Sequence, residues 1–548
     1  MGTCHEQRAD RTRFIIDEDY KIKHEMIESI RAFNARKTEE ENKDPGKNIS
    51  QLVPKAQDPP IKPNINMDTR LISKNKRDFL DIYEPKEPLG EGGYGQVYLV
   101  VHRKMKLLRA LKMIPVNSNE SGEKSEEEIE KLKQFDHPNI VKLFEYFIDN
   151  DKYLLITEYC RGGDLFRVIK KKKKFSELSA VYIMFQIFRA LIYCHNTIHL
   201  AHRDIKPENI VIFKKNNTAT EDLYDVKLID FGIAKKLDIN NKKMDDKIKG
   251  SLYYMAPEVF GKKSDEKCDI WSCGVVLYLL VTGKYPFNGK DQKEIIRNIK
   301  EGRFSFPEDI IDKLSNELRD LIKNCLQVNP AKRLSAKEAL KHPIFNKYKI
   351  NEYFIHVTPA FLNKTINNIK KYDTKNKLQT LCFSYFVHNY PNQDDIILIN
   401  RVFSKFNTSN NGQLTEEELR KGLMKYLFKG KKNKDAAEKE ANSIFIKLDD
   451  NKNGYIECEE FIRAGIDKKL LKSKKVLRFT FDFLDKDRNG EISIEELKEV
   501  FRNEGDCNDD EYDKNMIELV KSIDTDLNGR ISFDEFYNMM IKVIDGLI

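Results

Sequence analysis

The chain has 548 residues, 40% of them hydrophobic and 34% charged, with a formal charge of +8. That length exceeds what one hydrophobic core serves, so two or three soluble globular domains with linkers are expected, and the longest apolar runs, such as Val275 to Val281, are far too short to cross a bilayer. The charge is uneven, about −4 over residues 396–548 against about +12 for the rest, yet Lys and Arg are dispersed without a recognition helix, so no nucleic-acid partner is expected.

Met1-Gly2-Thr3-Cys4 places Gly2 as an acceptor for N-myristoylation, with Cys4 able to take a second acyl chain. Glu6 stands where that signal prefers Ser or Thr, so peripheral membrane contact through acylation remains open beside an unmodified polar start. Residues 1–80, rich in Lys, Glu, Asn and Asp and broken by Pro59, Pro60 and Pro63, read as a mobile extension with a short amphipathic helix over Ile22 to Phe33. Nine cysteines without paired spacing and no hydrophobic leader point to reduced thiols and a cytoplasmic protein, membrane-associated if acylated. A monomer is expected.

Residues 83–345 are densely patterned, short β-type runs first and helical periodicity after, as one large domain in two lobes. Leu89-Gly90-Glu91-Gly92-Gly93-Tyr94-Gly95-Gln96-Val97 would let a hairpin backbone approach phosphate oxygens. Alone the spelling is weak, since a dinucleotide site uses the same glycines before a helix, but here Val97-Tyr98-Leu99-Val100-Val101 continues as a strand. Ala110-Leu111-Lys112 on a strand and Glu128 in a charged helix come next. A Lys held by a Glu offers nucleotide phosphates a fixed cation, although each residue by itself reads as half of a surface ion pair. The lysine run Lys170 to Lys174 reads as a solvated face.

His202-Arg203-Asp204-Ile205-Lys206-Pro207-Glu208-Asn209, Asp230-Phe231-Gly232 and Ala256-Pro257-Glu258 follow. With these in order the chain resembles the eukaryotic protein kinases over about 260 residues. The resemblance implies an α+β bilobal fold and ATP as phosphoryl donor. Its nucleotide would lie against Leu89 to Val97, Ala110, Lys112, Glu128, Glu158, Cys160 and Asp230. Asp204 would take or orient the substrate hydroxyl proton, Lys206 would neutralise the transferred phosphate, and Asn209 and Asp230 would hold Mg²⁺. Lys206 after the base marks serine/threonine specificity. Asp269, Trp271, Gly274 and Arg333 fall to folding. Asp164 and Glu208 match positions that face basic residues near the target Ser or Thr in protein substrates. Thr157 would control access behind the adenine. The position where many relatives carry an activating phosphate is Lys247, preceded by Asp245 and Asp246, so activity without phosphorylation there is expected.

Residues 346–395 form a connector in which Phe361, Ile366, Ile369, Leu378, Leu381 and Phe386 recur at helical spacing among basic residues. Over 396–548 a helix, a polar loop with a central Gly, and a second helix repeat at about 36 to 42 residues. An EF-hand loop needs oxygen ligands at positions 1, 3, 5, 7, 9 and 12 and a Gly at 6. The second loop (449–460) offers Asp449, Asn451, Asn453, Tyr455 by its carbonyl, Glu457 and Glu460. The third (485–496) offers Asp485, Asp487, Asn489, Glu491, Ser493 and Glu496, and the fourth (524–535) Asp524, Asp526, Asn528, Arg530, Ser532 and Glu535. The first (407–418) has Asn407, Ser409, Asn411, Gln413, Thr415 and Glu418; the neutral leading Asn removes a charge, so weak or no Ca²⁺ binding is expected there. Leu414, Ile456, Ile492 and Ile531 at position 8 predict loops paired through β-bridges in two lobes. Met516, Leu519, Val520 and Ile523 supply one of the flanking helix faces.

A kinase domain, a connector and an all-α four-EF-hand domain together resemble the calcium-dependent protein kinases of plants and protists, over roughly residues 83–540. The resemblance implies a Ca²⁺-activated serine/threonine kinase in which an autoinhibitory junction helix is the intramolecular partner of the EF-hand module. A packed interdomain helix without a regulatory role is the plainer reading of the same stripe. A pseudokinase scaffold would need a broken part among Lys112, Glu128, Asp204, Asn209 and Asp230, and none is broken.

Overall fold

The computed structural model describes residues 74–544, apart from 76, 93–94, 116–120, 150–151, 218–220, 237–243, 246–250, 262, 355, 373–376, 390–392, 427–433 and 502–509. Gly2, Cys4, the helix expected over Ile22 to Phe33, Gly93, Tyr94, Asp246 and Lys247 lie outside the described residues. The chain divides into two compact units, one holding 74–115 and 146–156, the other 116–145 and 157–544.

The first unit is built on strands β1 (Tyr83–Gly92), β2 (Gly95–His102), β3 (Leu108–Pro115), β4 (Leu143–Asp149) and β5 (Lys152–Glu158), in the order β1-β2-β3-β5-β4. The glycine-rich segment does continue as a strand: β1 pairs antiparallel with β2 from Tyr83↔His102 to Gly92↔Gly95. Two register shifts in β1 fall at Pro88, which has no N–H to give the ladder. Gly95 has φ +150°, and a Cβ there would lie 1.8 Å from the Met113 carbonyl oxygen, so only glycine lets β2 and β3 close at this point. Residues before the expected boundary at 80 take part in the first unit. Asn75 donates to the Tyr146 carbonyl at 2.8 Å, and helix α1 (Phe79–Ile82), capped by Asp78, buries Phe79 against Tyr83 and Phe147 with ring centroids 5.6 Å from each.

The second unit contains α2 (Ser121–Lys133), α3 (Leu165–Lys172), α4 (Glu177–Ile192), the hairpin β6 (Ile210–Asn217) and β7 (Asp222–Leu228), and α5 (Lys267–Thr282). α4 and α5 are apolar nearly all round and bury almost every side chain, as central core helices do. That places the run Val275 to Val281 inside the protein. With the turn that follows it, α4 is long and apolar enough to span a bilayer, but 94% of that window is buried in the fold. Gly274 faces Cys325, where a Cβ would come within 2.8 Å of the cysteine Cβ. Arg333, fully buried, forks onto both Glu258 oxygens at 2.6 and 2.9 Å, and Trp271 stacks on Phe287.

In the same unit the connector folds as α6 (Pro359–Lys370) and α7 (Lys377–Asn389). The hands follow as α8 (Gln393–Phe406), β8 (Gln413–Leu414), α9 (Glu416–Tyr426), α10 (Lys434–Leu448), β9 (Ile456–Glu457), α11 (Cys458–Gly465), α12 (Lys474–Leu484), β10 (Glu491–Ile492), α13 (Ile494–Phe501), α14 (Asp510–Lys521), β11 (Ile531–Ser532) and α15 (Phe533–Ile544). β8 pairs with β9 through Leu414↔Ile456, and β10 with β11 through Ile492↔Ile531, giving the expected two pairs of loops. Ile366, Ile369 and Phe386 of the connector are buried in one apolar cluster with the hands. Tyr385 stacks on Phe483 at 3.9 Å and Asn368 donates to the Gly465 carbonyl, so α6 and α7 are packed on α11 and α12.

Candidate functional site: a phosphotransfer loop and a calcium sensor

The segment His202 to Asn209 is pinned by one carboxylate. Asp269, near the start of α5 and fully buried, accepts the backbone N–H groups of His202 and Arg203 at 2.8 and 2.7 Å and meets His195 Nε2 at 2.8 Å. Burial alone would raise this carboxyl; the His195 hydrogen bond, His202 and the Arg203 N–H hold it below its ordinary value instead. Arg203 is thereby kept at φ +70°, an unfavourable backbone for a side chain of that size.

Beyond this anchor, Asp204 Oδ2 accepts from Lys206 Nζ at 2.6 Å and from Asn209 Nδ2 at 2.9 Å, while Asn209 Nδ2 also donates to the Asp204 carbonyl. Both donations fix the Asn209 amide, leaving its oxygen as the end that can meet a cation. Lys206 Nζ reaches Ser251 Oγ at 3.3 Å. Ile229 donates to the Asn209 carbonyl at 2.9 Å, which brings Asp230, at φ +66°, beside Asn209. Phe231 is buried with its ring 4.3 Å from Phe135 and 4.7 Å from His202. The structure therefore gathers Asp204, Lys206, Asn209 and Asp230 on one buried frame that can hold a metal beside a proton acceptor.

In the first unit, Leu89, Gly90, Glu91, Gly92, Gly95, Gln96 and Val97 all lie on the β1–β2 hairpin, with Lys112 paired across from Val97 and Ala110 across from Leu99 on β3. Glu128 is buried on α2 of the second unit. The Glu158 carboxylate pairs with Lys227 at 2.9 Å, and the Cys160 thiol is pushed well up by burial. Asp164 caps α3 by accepting from the Arg167 N–H at 2.8 Å and pairs with the Arg167 side chain. Its near neighbour Glu208 is half-buried with Oε2 lacking a hydrogen bond; burial raises its carboxyl, to which the charges of Asp164 and Asp204 add.

The sensor loops have the geometry their spacing demands. Glycines 412, 454, 490 and 529 at position 6 all have φ between +80° and +92°. The position-5 Asn453, Asn489 and Asn528 each accept the position-7 N–H at 2.8 to 2.9 Å. Each of Glu460, Glu496 and Glu535 spans its loop, accepting from positions 2 and 9. In loops 3 and 4 the carboxylates Asp485, Asp487 and Glu496, and Asp524, Asp526 and Glu535, bring oxygens within 4.8 Å of one another. Asp485 Oδ1 is buried without a hydrogen bond, and burial pushes Glu460 up to about 8. Such donors fit a divalent cation, which supplies the missing compensation.

No motif in the sequence marks the surface where the sensor meets the helical part of the kinase domain within the same unit. Lys142 pairs with Glu459 at 3.0 Å, the Glu459 N–H donates to Asp136 Oδ2 at 2.7 Å, and Arg189 donates to Ser404 Oγ at 2.8 Å. His388 Nε2 donates to the Phe144 carbonyl at 3.3 Å and Thr197 Oγ1 to the Asn411 carbonyl at 3.0 Å. The only advance signal was Arg189, a lone cation in the apolar stretch of α4.

Comparison with known proteins agrees with both halves of the site. The model of the protein kinase domain matches residues 83–345, and that of the EF-hand domain pair matches 398–464 and 474–541. Calcium-dependent protein kinase 5 of Plasmodium falciparum is 36% identical over 476 residues, covering 86% of this chain and 80% of the relative. Calcium-dependent protein kinase 4 of Plasmodium berghei is 36% identical over 473 residues, covering 85% and 87%.

Proposed function

This chain belongs to the calcium-dependent protein kinase family, and from that premise we propose that it phosphorylates Ser and Thr of protein substrates when Ca²⁺ fills its EF-hands, the signal passing through the junction helices α6 and α7. The carrying observation is the Asp204, Lys206 and Asn209 constellation on its Asp269 anchor, in one chain with three complete calcium loops. Asp204 Oδ2 accepts the proton of the attacking hydroxyl, and Asn209 and Lys206 keep that oxygen in place. ATP with Mg²⁺, when bound, supplies the phosphoryl group; Asn209 and Asp230 would hold the metal, and the β1–β2 hairpin with Lys112 the phosphates.

Glu208, with an unsatisfied carboxylate oxygen, selects substrates with a basic residue near the target hydroxyl, Asp164 adding its field. In the calcium-free state the junction restrains catalysis, and calcium repacks α6 and α7 with the helices they already contact. The enzyme works as a cytoplasmic monomer, and acylation at Gly2 and Cys4 would give it a peripheral membrane address. The test is phosphorylation of a Ser/Thr peptide with upstream basic residues by the purified chain, in EGTA and in micromolar Ca²⁺. Strong stimulation by calcium is expected; equal turnover in both would remove the switch, and loss of no activity on a peptide without basic residues would remove the role of Glu208.

A further inference from the structure

The catalytic loop is continuous with a basic groove that phosphoryl transfer itself does not use. Lys206 reaches Ser251, and just beyond it Tyr253 stacks on Tyr285 with ring centroids 4.5 Å apart, while the Tyr254 and Tyr285 hydroxyls meet at 3.3 Å. Tyr254 stands close to the catalytic acids: burial and the Tyr285 hydrogen bond push its hydroxyl well up, and the charges of Glu208 and Asp204 add to that. Tyr285 is therefore an aromatic step leading away from Glu208. Beyond it opens a groove of about 760 Å³ lined by Tyr278, Lys284, Tyr285, Asn298, Arg303 and Phe304. Its neutral polar groups are engaged with one another. The Tyr278 hydroxyl donates to the Ser305 carbonyl at 2.8 Å, and Asn298, on the helix Gln292–Glu301, donates to the Asn288 carbonyl at 2.7 Å.

What the groove leaves to meet a ligand is positive charge. Lys284 is exposed and has no acidic partner among the described residues. Arg303 gives Nε to Glu301 at 2.7 Å, which takes one corner of a guanidinium whose side chain is 71% exposed. The lysine run at the end of α3 adjoins them. Gly283 packs so closely on the turn at Lys173 that a Cβ would fall 2.7 Å from the Lys173 carbonyl oxygen, and the Phe175 N–H donates to the Leu280 carbonyl at 2.8 Å. Lys172 is taken by Asp222 at 2.6 Å, but Lys173 and Lys174 are exposed and, among the described residues, without an acidic partner. Lys173 also holds φ +66°, a backbone that costs glycine far less than lysine. The nearby acids are engaged, Asp291 by the Glu294 N–H and Glu294 by the Lys290 N–H. A helix dipole accounts for a cation at its own C-terminal end; the meeting of the ends of α3, α5 and the helix Gln292–Glu301 beside one groove is what makes the groove basic.

We propose that this groove takes an acidic segment of the protein substrate, its carboxylates meeting Lys284 and Arg303 while Lys173 and Lys174 add their field. The preferred substrate is then bipartite: a basic residue by the target hydroxyl, read at Glu208, and a run of Asp or Glu farther along the chain, past Tyr285. The proposal rests on the protein-kinase reading above and refines its substrate class. The test is a basic Ser peptide carrying a short Glu, Gln or Lys tail, joined by a Gly-Ser spacer at either end and assayed on the full chain at saturating Ca²⁺. At one end or the other, the Glu tail is expected to give a KM about 3- to 10-fold below that of the Gln tail at the same kcat, as a few exposed ion pairs would, and the ratio is expected to shrink as salt is added. Lys284→Glu is expected to reverse the preference, the Lys tail now giving the lower KM; the ratio between tails within one variant reads the groove whatever that variant's basal rate. Fluorescence anisotropy of labelled peptides with Ala in place of the target Ser reads binding without turnover and is expected to follow the same order. Equal KM and equal binding for the Glu and Gln tails, or a Glu preference that survives Lys284→Glu combined with Arg303→Ala, would overturn the proposal. So would equal tails together with retention on phosphatidylserine vesicles that Lys284→Glu loses, which would give these cations to a lipid surface. Tail-dependent binding without turnover of any peptide would keep the groove and sink the kinase reading.

Discussion

Asp204 is held by a lysine and an amide on a frame that no surface loop could keep, because the Asp269 carboxylate ties down two consecutive backbone N–H groups beneath it. Asp204→Asn retains the shape and removes the proton acceptor, so kcat is expected to fall roughly 10²- to 10⁴-fold with the peptide KM little changed, measured by steady-state phosphorylation. His388 gives a pH prediction. Burial, with the Lys142 ammonium adding, pushes its imidazole down to about 4, so between there and its ordinary value of 6.5 the unfolded chain binds the extra proton. Stability is then complete above about pH 6.5 and is lost as pH falls through that window, by up to about 1.4 kcal/mol per pH unit from this group. His388→Gln, which still offers a donor to the Phe144 carbonyl, is expected to flatten the fall in Tm between pH 6.5 and pH 5. At this scale the catalytic residues were legible because the chemistry demands their types and spacing. Asp164 and Glu158 were harder to read, because their side chains also pair with Arg167 and Lys227. The cap at Asp164 could have been read from an Asp standing just before Leu165 and an amphipathic turn.

At the scale of elements the folding signals were strong wherever one helix or loop satisfies itself. The EF-hand loops follow from their own residues, and the β-bridges from an apolar position 8, so both pairings appeared as expected. Loop 2 differs from loops 3 and 4 in carrying Asn451 where they carry Asp487 and Asp526; its third carboxylate, Glu457, stands instead at position 9, which often reaches the ion only through water. Loops 3 and 4 are therefore expected to fill at lower calcium than loop 2. A calcium titration of Glu496→Gln and Glu535→Gln should remove the tight phase in parts, and Glu460→Gln the weaker one; the reverse assignment would refute the ranking. α5 makes a harsher demand. Gly274→Ala puts a methyl 2.8 Å from the Cys325 Cβ inside a helix with nowhere to shift, and is expected to cost about 1 to 3 kcal/mol, seen as a lower denaturant midpoint with an unchanged m-value. The start of the fold was less legible: Phe79 sits in a polar-looking segment, and only its burial against Tyr83 and Phe147 makes α1 part of the first unit.

Across the whole molecule, the contact between sensor and helical unit was illegible because its residues form no motif; they are single side chains brought together from points hundreds of positions apart. Its arrangement nonetheless suggests how calcium is read. Glu459 is the residue before the loop-2 ligand Glu460, and α11 begins one residue earlier. Glu459 donates its N–H to Asp136 and pairs its carboxylate with Lys142, so any turn of α11 that lets Glu460 close on a cation is felt at once on the Asp136 to Lys142 segment. By linkage, whatever binding to the helical unit contributes to the closed form of loop 2 must appear as calcium affinity. Lys142→Ala removes the pair and leaves Glu459 buried without its cation. It is expected to raise the calcium concentration for half-maximal activity several-fold while leaving activity at saturating calcium within about twofold. Glu459→Gln should do the same, and the double variant should cost much less than the sum, because the two side chains act on each other. If the single variants instead lowered saturated activity at an unchanged calcium midpoint, the contact would be a structural tie of the helical unit and loop 2 would report to the active site by another route.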